Sequence, residues 1–345
     1  MDSKRNQPNY RIKMNQWLQL TEKRRLEILN LASNRTGLPA QAIEKDWWVT
    51  IVLHAIFSSE YAPYLIFKGG TSLSKAYNLI QRFSEDIDLA IDRDFLNFKG
   101  ELSKSQIKKL RKASGQFIVG PFRNALDQRL QEMQIPKELY TLKTDEHVDD
   151  TSDPHTIELE YNTIVEQGDY LPQRVLIEIG ARSLTEPAEN KTIQSILDET
   201  FPEQPFTEQV FDVTVVVPTK TFLEKVFLLH EEFSKPFDKI RFVRLSRHLY
   251  DLEKLMDHEF GIEALNDIEL FATIVAHRST YNIVRGISYE RHTHQLLNFI
   301  PPNEVIELWR QDYQEMRENM FYGETLEFDQ IILRLRELNK RFNDK

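Results

Sequence analysis

The sequence of 345 residues predicts an α/β (α+β) fold: a mixed β-sheet flanked by helices, followed by a helical C-terminal domain. Two observations carry this reading. Alternating or β-branched apolar runs, which suit pleated strands, are confined to residues 1–218. After Pro218 the apolar residues recur at helical spacing almost to Lys345. The shift at Pro218 sets the expected domain boundary, 1–218 and 219–345, and no internal repeat crosses it.

The elements follow in chain order. Apolar spacing predicts helices over Asn15 to Ser33 and Pro39 to Ser58, the second carrying Trp47, Trp48, Val52 and Ile56. A strand from Tyr64 to Lys68, a helix from Ser72 to Ile80 and a strand from Asp86 to Ile91 come next, then a helical stretch from Lys104 to Gln134. Alternation returns in His155–Val165 and Gln173–Ser183, separated by a Gly168-Asp169 turn, and Phe211–Pro218 is a β-branched run that Pro218 ends. In the second half, a helix over Lys239–Asp257 would stack Phe242, Leu245, Leu249, Leu252 and Met256 in one apolar stripe. Arg241, Arg244, Arg247 and His248 would lie opposite, with Asp251 among them.

The stretch from Leu65 to Ile91, LIFKGGTSLSKAYNLIQRFSEDIDLAI, concentrates the chemistry. Successive strand residues face opposite ways, so Asp86 and Asp88 share one face while Ile87 and Leu89 enter the core. Two carboxylates held together call for a cation between them, and Mg²⁺ (or Mn²⁺) prefers such oxygen ligands. Gly69 and Gly70 permit close backbone approach, and the helix after them offers N–H groups to an anion. Thr71 or Ser72 would then hold β/γ-phosphates, with Arg82 and Ser84 flanking the aspartates. Such a site suits a nucleoside triphosphate (NTP) and its metal. The alternative is an ordinary turn with solvated carboxylates.

Three further residues extend this constellation. Glu178, in the apolar run VLIEI, is a candidate third metal ligand, or else the partner of Arg174 or Arg182; an edge strand with a solvent face would give the same alternation. Lys225 and Glu224 are the only charges between Thr221 and Leu229, so the ammonium needs either an anion, such as a phosphate, or a snorkelling route to water. Asp251 among bases reads most simply as an i,i+4 partner of Arg247. Arg244 and Arg247 could grip triphosphate or an RNA backbone.

Composition bounds the rest. Apolar content of 41% and charged content of 28% are those of a globular chain. The absence of cysteine excludes disulfides and cysteine-ligated metals. A formal charge of −10 argues against nonspecific coating of nucleic acid, though not against a local basic surface. The polar N-terminus and the lack of any apolar run long enough to span a bilayer make no membrane partner and a cytoplasmic location the expectation.

FKGGTSLSKAY followed by RFSEDIDLAI resembles the first motif of the polymerase-β-type nucleotidyltransferases. More narrowly, the chain resembles the AbiEii/AbiGii toxin family of AbiE-type and MenAT-type toxin–antitoxin systems. The likeness takes in AIEKDWWVTIVLHAIF, LEKVFLLHE, RHLYDLEKL and PPNEVIELWRQDYQEMRENMFYGETLEFDQI. One departure is the interval of fifteen residues between Gly70 and Asp86, longer than the superfamily's usual spacing. The resemblance implies a nucleotidyltransferase core in 1–218 and transfer of a nucleoside monophosphate to RNA, with the tRNA 3′ end as acceptor. It further implies inhibition of translation and growth, a role in phage defence and a cognate antitoxin. It places Lys225 and Asp251 in the active site with Asp86 and Asp88. Transfer to a protein hydroxyl, or nucleotide binding without catalysis, would use the same metal site.

Overall fold

The computed structural model describes residues 16–84, 86–144, 148–166 and 172–345. Its N-terminal helical stretch is broken into α1 (Gln16–Gln19) and α2 (Glu22–Thr36) because the Thr21 hydroxyl caps α2, accepting from Arg24 N at 3.2 Å. Asn15 and the Gly168-Asp169 turn lie outside the described residues. Helix α3 (Ala40–Phe57) is apolar nearly all round and is buried against the sheet.

Three consecutive charges at the start of α3 are buried and tie down separate segments. Glu44 accepts from Ile164 N at 3.0 Å, and Lys45 donates to the Pro172 carbonyl at 2.8 Å. Asp46 receives Lys75 Nζ at 2.6 Å and Ile196 N at 2.7 Å. The last pair matters for the site, because Lys75 ends the short helix α4 (Gly69–Lys75) that follows strand β1 (Leu65–Lys68). Helix α4 thus starts at Gly69, three residues before the expected Ser72. It stops short of Ile80, where Asn78 turns the chain with φ 52°. The double glycine is the first turn of this helix.

Strand β2 (Asp86–Ile91) follows, then α5 (Lys104–Phe117) and α6 (Arg123–Glu132). These two form one helical run through a π-helical turn at Ile118–Phe122, where Pro121 supplies no backbone donor. Strands β3 (Tyr140–Thr144), β4 (His155–Tyr161), β5 (Arg174–Gly180) and β6 (Ala188–Ile193), helix α7 (Ile196–Thr200) and strand β7 (Phe211–Val216) complete the mixed layer. Sequence patterning had not pointed to β3 and β6, edge strands with polar residues on their open faces.

The strand order is β3-β4-β5-β2-β1-β7-β6. β2 pairs antiparallel with β1 and parallel with β5, so β5 is an interior strand and not an edge. Register then places Lys68 opposite Asp88, and Asp88 opposite Glu178. Ile87, Leu89, Ile177 and Ile179 face the other way into a core shared with Trp47, Trp48 and Val52 of α3.

The remainder is helical: α8 (Pro218–Phe233), α9 (Arg247–Leu255), α10 (Glu259–Asn266), α11 (Ile268–Tyr281), α12 (Ile306–Asn319) and α13 (Phe328–Asn343). Their apolar cluster takes in Leu73 and Ile80 from the motif segment. The expected helix Lys239–Asp257 shrinks to α9. Asp312 accepts from the backbone N–H of both Arg244 and Ser246, drawing residues 244–246 into a turn with Arg244 at φ 58°. None of the described helices is long and apolar enough to cross a membrane.

Asp46 is the test of how α4 is held. Asp46→Ala leaves the buried Lys75 ammonium without its carboxylate, which costs about 3 kcal/mol. Urea denaturation at neutral pH should show that loss; an unchanged midpoint would mean α4 is fixed by other contacts.

Candidate active site

The end of β1, the first turn of α4, β2 and β5 form one side of a cleft of about 390 Å³, and α8, α9 and α11 form the other. Gly69 has φ +83°, and a Cβ there would lie 2.1 Å from Asp88 Oδ2. A Cβ on Gly70 would lie 2.4 Å from Arg82 Nη2 and 3.1 Å from Ser84 Oγ. The glycines therefore press backbone against polar side chains of the cleft, Gly69 against Asp88 and Gly70 against Arg82 and Ser84. Thr71 and Ser72, by contrast, are buried and absent from the lining. The Thr71 hydroxyl lies 2.8 Å from Ser84 Oγ and donates to the Asp86 carbonyl, while Ser72 Oγ donates to the Gly69 carbonyl at 2.9 Å. Their hydroxyls brace the turn from behind the cleft lining.

Asp86, Asp88 and Glu178 share one face of adjacent strands, and all three line the cleft. Arg174 and Arg182, the alternative partners of Glu178, are engaged elsewhere, with Glu158 and Asp153. Burial, then the charges of Asp88 and Asp86, push the Glu178 carboxyl up to about 7. An all-oxygen set that repels its own charge fits a hard divalent cation. The acids share a face without closing into a shell: among the described residues, no three acidic, histidine or cysteine side chains stand at metal-holding spacing.

The opposite wall is organised by Asp251. Arg82 meets it twice, Nε to Oδ1 at 2.7 Å and Nη2 to Oδ2 at 2.8 Å, and Lys225 Nζ lies 2.8 Å from Oδ2. Asp251 is fully buried, and these two cations hold its carboxyl well below the usual carboxylate range against the cost of burial. Its partners are Arg82 and Lys225, not Arg247 as the helical spacing suggested. Burial lowers the Lys225 ammonium, although Asp251 opposes the shift, and burial with Lys225 and Arg247 nearby keeps the His248 imidazole neutral. Lys225 Nζ is 3.4 Å from His248 Nδ1.

The segment carrying Arg82 is held by a distant part of the chain. Phe83 N donates to the Met320 carbonyl at 2.7 Å, Tyr322 N to the Gln81 carbonyl at 3.1 Å, and Gln81 N to the Tyr250 hydroxyl at 3.1 Å. The long Gly70–Asp86 interval thus delivers Arg82 to Asp251.

Among the predicted site residues, Gly69, Gly70, Arg82, Ser84, Asp86, Asp88, Glu178, Lys225 and Arg247 line the cleft. Arg244 does not: its turn sends Nη2 toward Met320 Sδ, 3.7 Å away. Sequence reasoning assigned no role to Lys68, Glu224, His277, Arg278 or Asn282, which also line it. Glu224 carried the same signal as Lys225, a charge on an apolar helix; Lys68 becomes visible only through its register with Asp88.

The arrangement is one in which carboxylates face fixed cations across a cleft next to a glycine turn. The family model described as nucleotidyl transferase AbiEii toxin, type IV toxin–antitoxin system, matches residues 51–334. The chain belongs to that family of nucleotidyltransferase toxins. Among solved structures it is similar to JHP933 from Helicobacter pylori, with 15% identity, a TM-score of 0.45, and coverage of 89% of this chain and 94% of that one. It is also similar to MenT4, a nucleotidyltransferase toxin from Mycobacterium tuberculosis H37Rv, with 15% identity, a TM-score of 0.49, and coverage of 94% and 90%. Comparison with curated proteins finds no match.

Asp251→Asn should lower stability at pH 7 by about 3 kcal/mol or more, since two buried cations lose their counter-charge. A carboxyl depressed in the fold contributes stability that is full above its unfolded pKa of about 3.9 and is lost as pH falls below it. The gap between wild type and variant in urea denaturation should therefore narrow below about pH 4. A gap that is constant from pH 7 to pH 3 would contradict the ion-pair account.

Proposed function

We propose that this protein transfers a nucleoside monophosphate from an NTP to a hydroxyl of an RNA acceptor, the tRNA 3′ end. Translation and growth would stop unless an antitoxin counters it. The observation that carries this reading is the placement of Asp86, Asp88 and Glu178 on one face beside the Gly69–Gly70 turn, in a chain of the AbiEii family.

Asp86, Asp88 and Glu178 would hold Mg²⁺ or Mn²⁺, which when bound neutralises triphosphate charge and acidifies the attacking hydroxyl. The Gly69 and Gly70 backbone approaches the phosphates, which a side chain at either position would prevent. Arg82, Lys225 and Arg247 offset the charge that builds on departing pyrophosphate, and Ser84 offers a hydroxyl from the same wall. Asp251 acts through these cations. Its two oxygens are engaged by Arg82 and Lys225, so it positions donors and does not collect a proton. His248 accepts from Lys225, fixing the ammonium's direction.

Incubating the protein with labelled NTPs, Mg²⁺ and total tRNA should transfer label to RNA. Asp88→Asn should reduce transfer by about a thousandfold or more while the protein still melts cooperatively. Absence of transfer from all four nucleotides by folded wild type would contradict the proposal. Label on a polypeptide and not on RNA would favour transfer to a protein hydroxyl.

A further inference from the structure

The cleft holds two separate sets of charged groups. One gathers on Asp251: Arg82, Lys225 and, close enough to act on both Lys225 and His248, Arg247. The second gathers on Glu224, whose side chain is 32% exposed; Lys220 lies 3.8 Å from it, and Lys68, Arg278 and His277 act on its charge. Glu224 and Lys225 are neighbours on α8, about 100° apart around the helix, so each serves a different set. Glu178 is the meeting point, within reach of Lys68 from the second set and Arg247 from the first.

An in-line displacement needs such a division. The acceptor oxygen forms its bond to the α-phosphorus as the bond to the bridging oxygen breaks. That electron pair leaves on pyrophosphate, and the hydroxyl proton passes to a carboxylate of the strand face. Leaving group and nucleophile therefore occupy opposite ends of the site. The Asp251 set buries its carboxylate away from the cleft and presents its cations beside the glycine turn, as a triphosphate requires, whereas the Glu224 carboxylate is itself open to the cleft. The Glu224 set suits a different guest. A carboxylate there repels polyphosphate but accepts from a ribose hydroxyl. Burial pushes the His277 imidazole down to about 4, leaving it a neutral hydrogen-bonding group, and Asn282 lines the same cleft. Arg278 is already clasped by Glu231, with Nε to Oε1 at 2.8 Å. The Lys68 ammonium makes no hydrogen bond or ion pair with any described residue, and in the cleft lining it is available to one phosphodiester.

We propose that this second set is the acceptor subsite: Glu224 receives the 2′-hydroxyl of the terminal ribose, Lys68 its 5′ phosphodiester, and His277 and Asn282 the edge of its base. The assignment rests on the nucleotidyltransferase reading and adds where the RNA end sits.

The test uses full-length protein, labelled NTP with Mg²⁺, and two RNA acceptors, one ending in ribose and one in 2′-deoxyribose with its 3′-hydroxyl kept. Glu224→Gln and Lys68→Met should each raise KM for RNA by about tenfold or more and leave the dissociation constant for Mg·NTP within about twofold of wild type. Wild type should prefer the ribose end, and Glu224→Gln should lose most of that preference while Lys68→Met keeps it. Weakened NTP binding with unchanged KM for RNA would overturn the assignment, as would unchanged KM in both variants or label on a polypeptide instead of RNA. If folded wild type modifies no acceptor at all, the nucleotidyltransferase reading itself fails and this subsite falls with it.

Discussion

A carboxylate with no access to water, that of Asp251, holds an arginine 169 residues earlier in the chain and a lysine on the next helix over. Taking three charged groups out of water is expensive, and their mutual attraction does not make such a cluster a source of net stability. Its consequence is geometric. Arg82 is met at both Nε and Nη2, so its guanidinium plane is fixed, and Gly70 can pack its backbone against that plane. The glycine turn, the aspartate strand and α8 are then held in one relative arrangement. Residues 320–322, pairing with 81–83, secure the same segment from behind.

Across the cleft the electrostatics are of the opposite kind. Asp86, Asp88 and Glu178 crowd negative charge onto one face, and Glu178 responds by holding its proton until about pH 7. A group whose carboxyl is raised in the fold contributes stability that is full below its unfolded pKa of about 4.3 and is lost as pH rises from there through about 7. Without a cation, this face therefore works against the fold at neutral pH, whereas a bound divalent ion turns the same repulsion into affinity. Fixed cations on one wall and clustered acids on the other are what phosphoryl transfer chemistry requires of a protein.

Much of this was legible in the sequence because it is local. The period of two in Asp86-Ile87-Asp88 fixes a shared face in any strand, and Lys225 on an apolar helix demands a counter-charge wherever the helix packs. What depends on pairing was not legible. Glu178 looked compatible with an edge strand, and only the order β5-β2-β1 sets it beside Asp88. Lys68 entered no reading for the same reason. Thr71 and Ser72 looked like phosphate ligands by type, but with α4 beginning at Gly69 their hydroxyls turn onto backbone carbonyls. The arginine stripe failed because Asp312, more than sixty residues away in sequence, ends the helical pattern before Arg247.

A crystal of the protein grown with Mn²⁺ and a non-hydrolysable triphosphate tests the central claim most directly through the anomalous signal of manganese. The account predicts a peak bonded to carboxylate oxygens of Asp86 and Asp88, with Glu178 beside it and the triphosphate running toward Gly69, Gly70 and Arg82. A nucleotide bound elsewhere, or in the cleft with the metal remote from these acids, would contradict it.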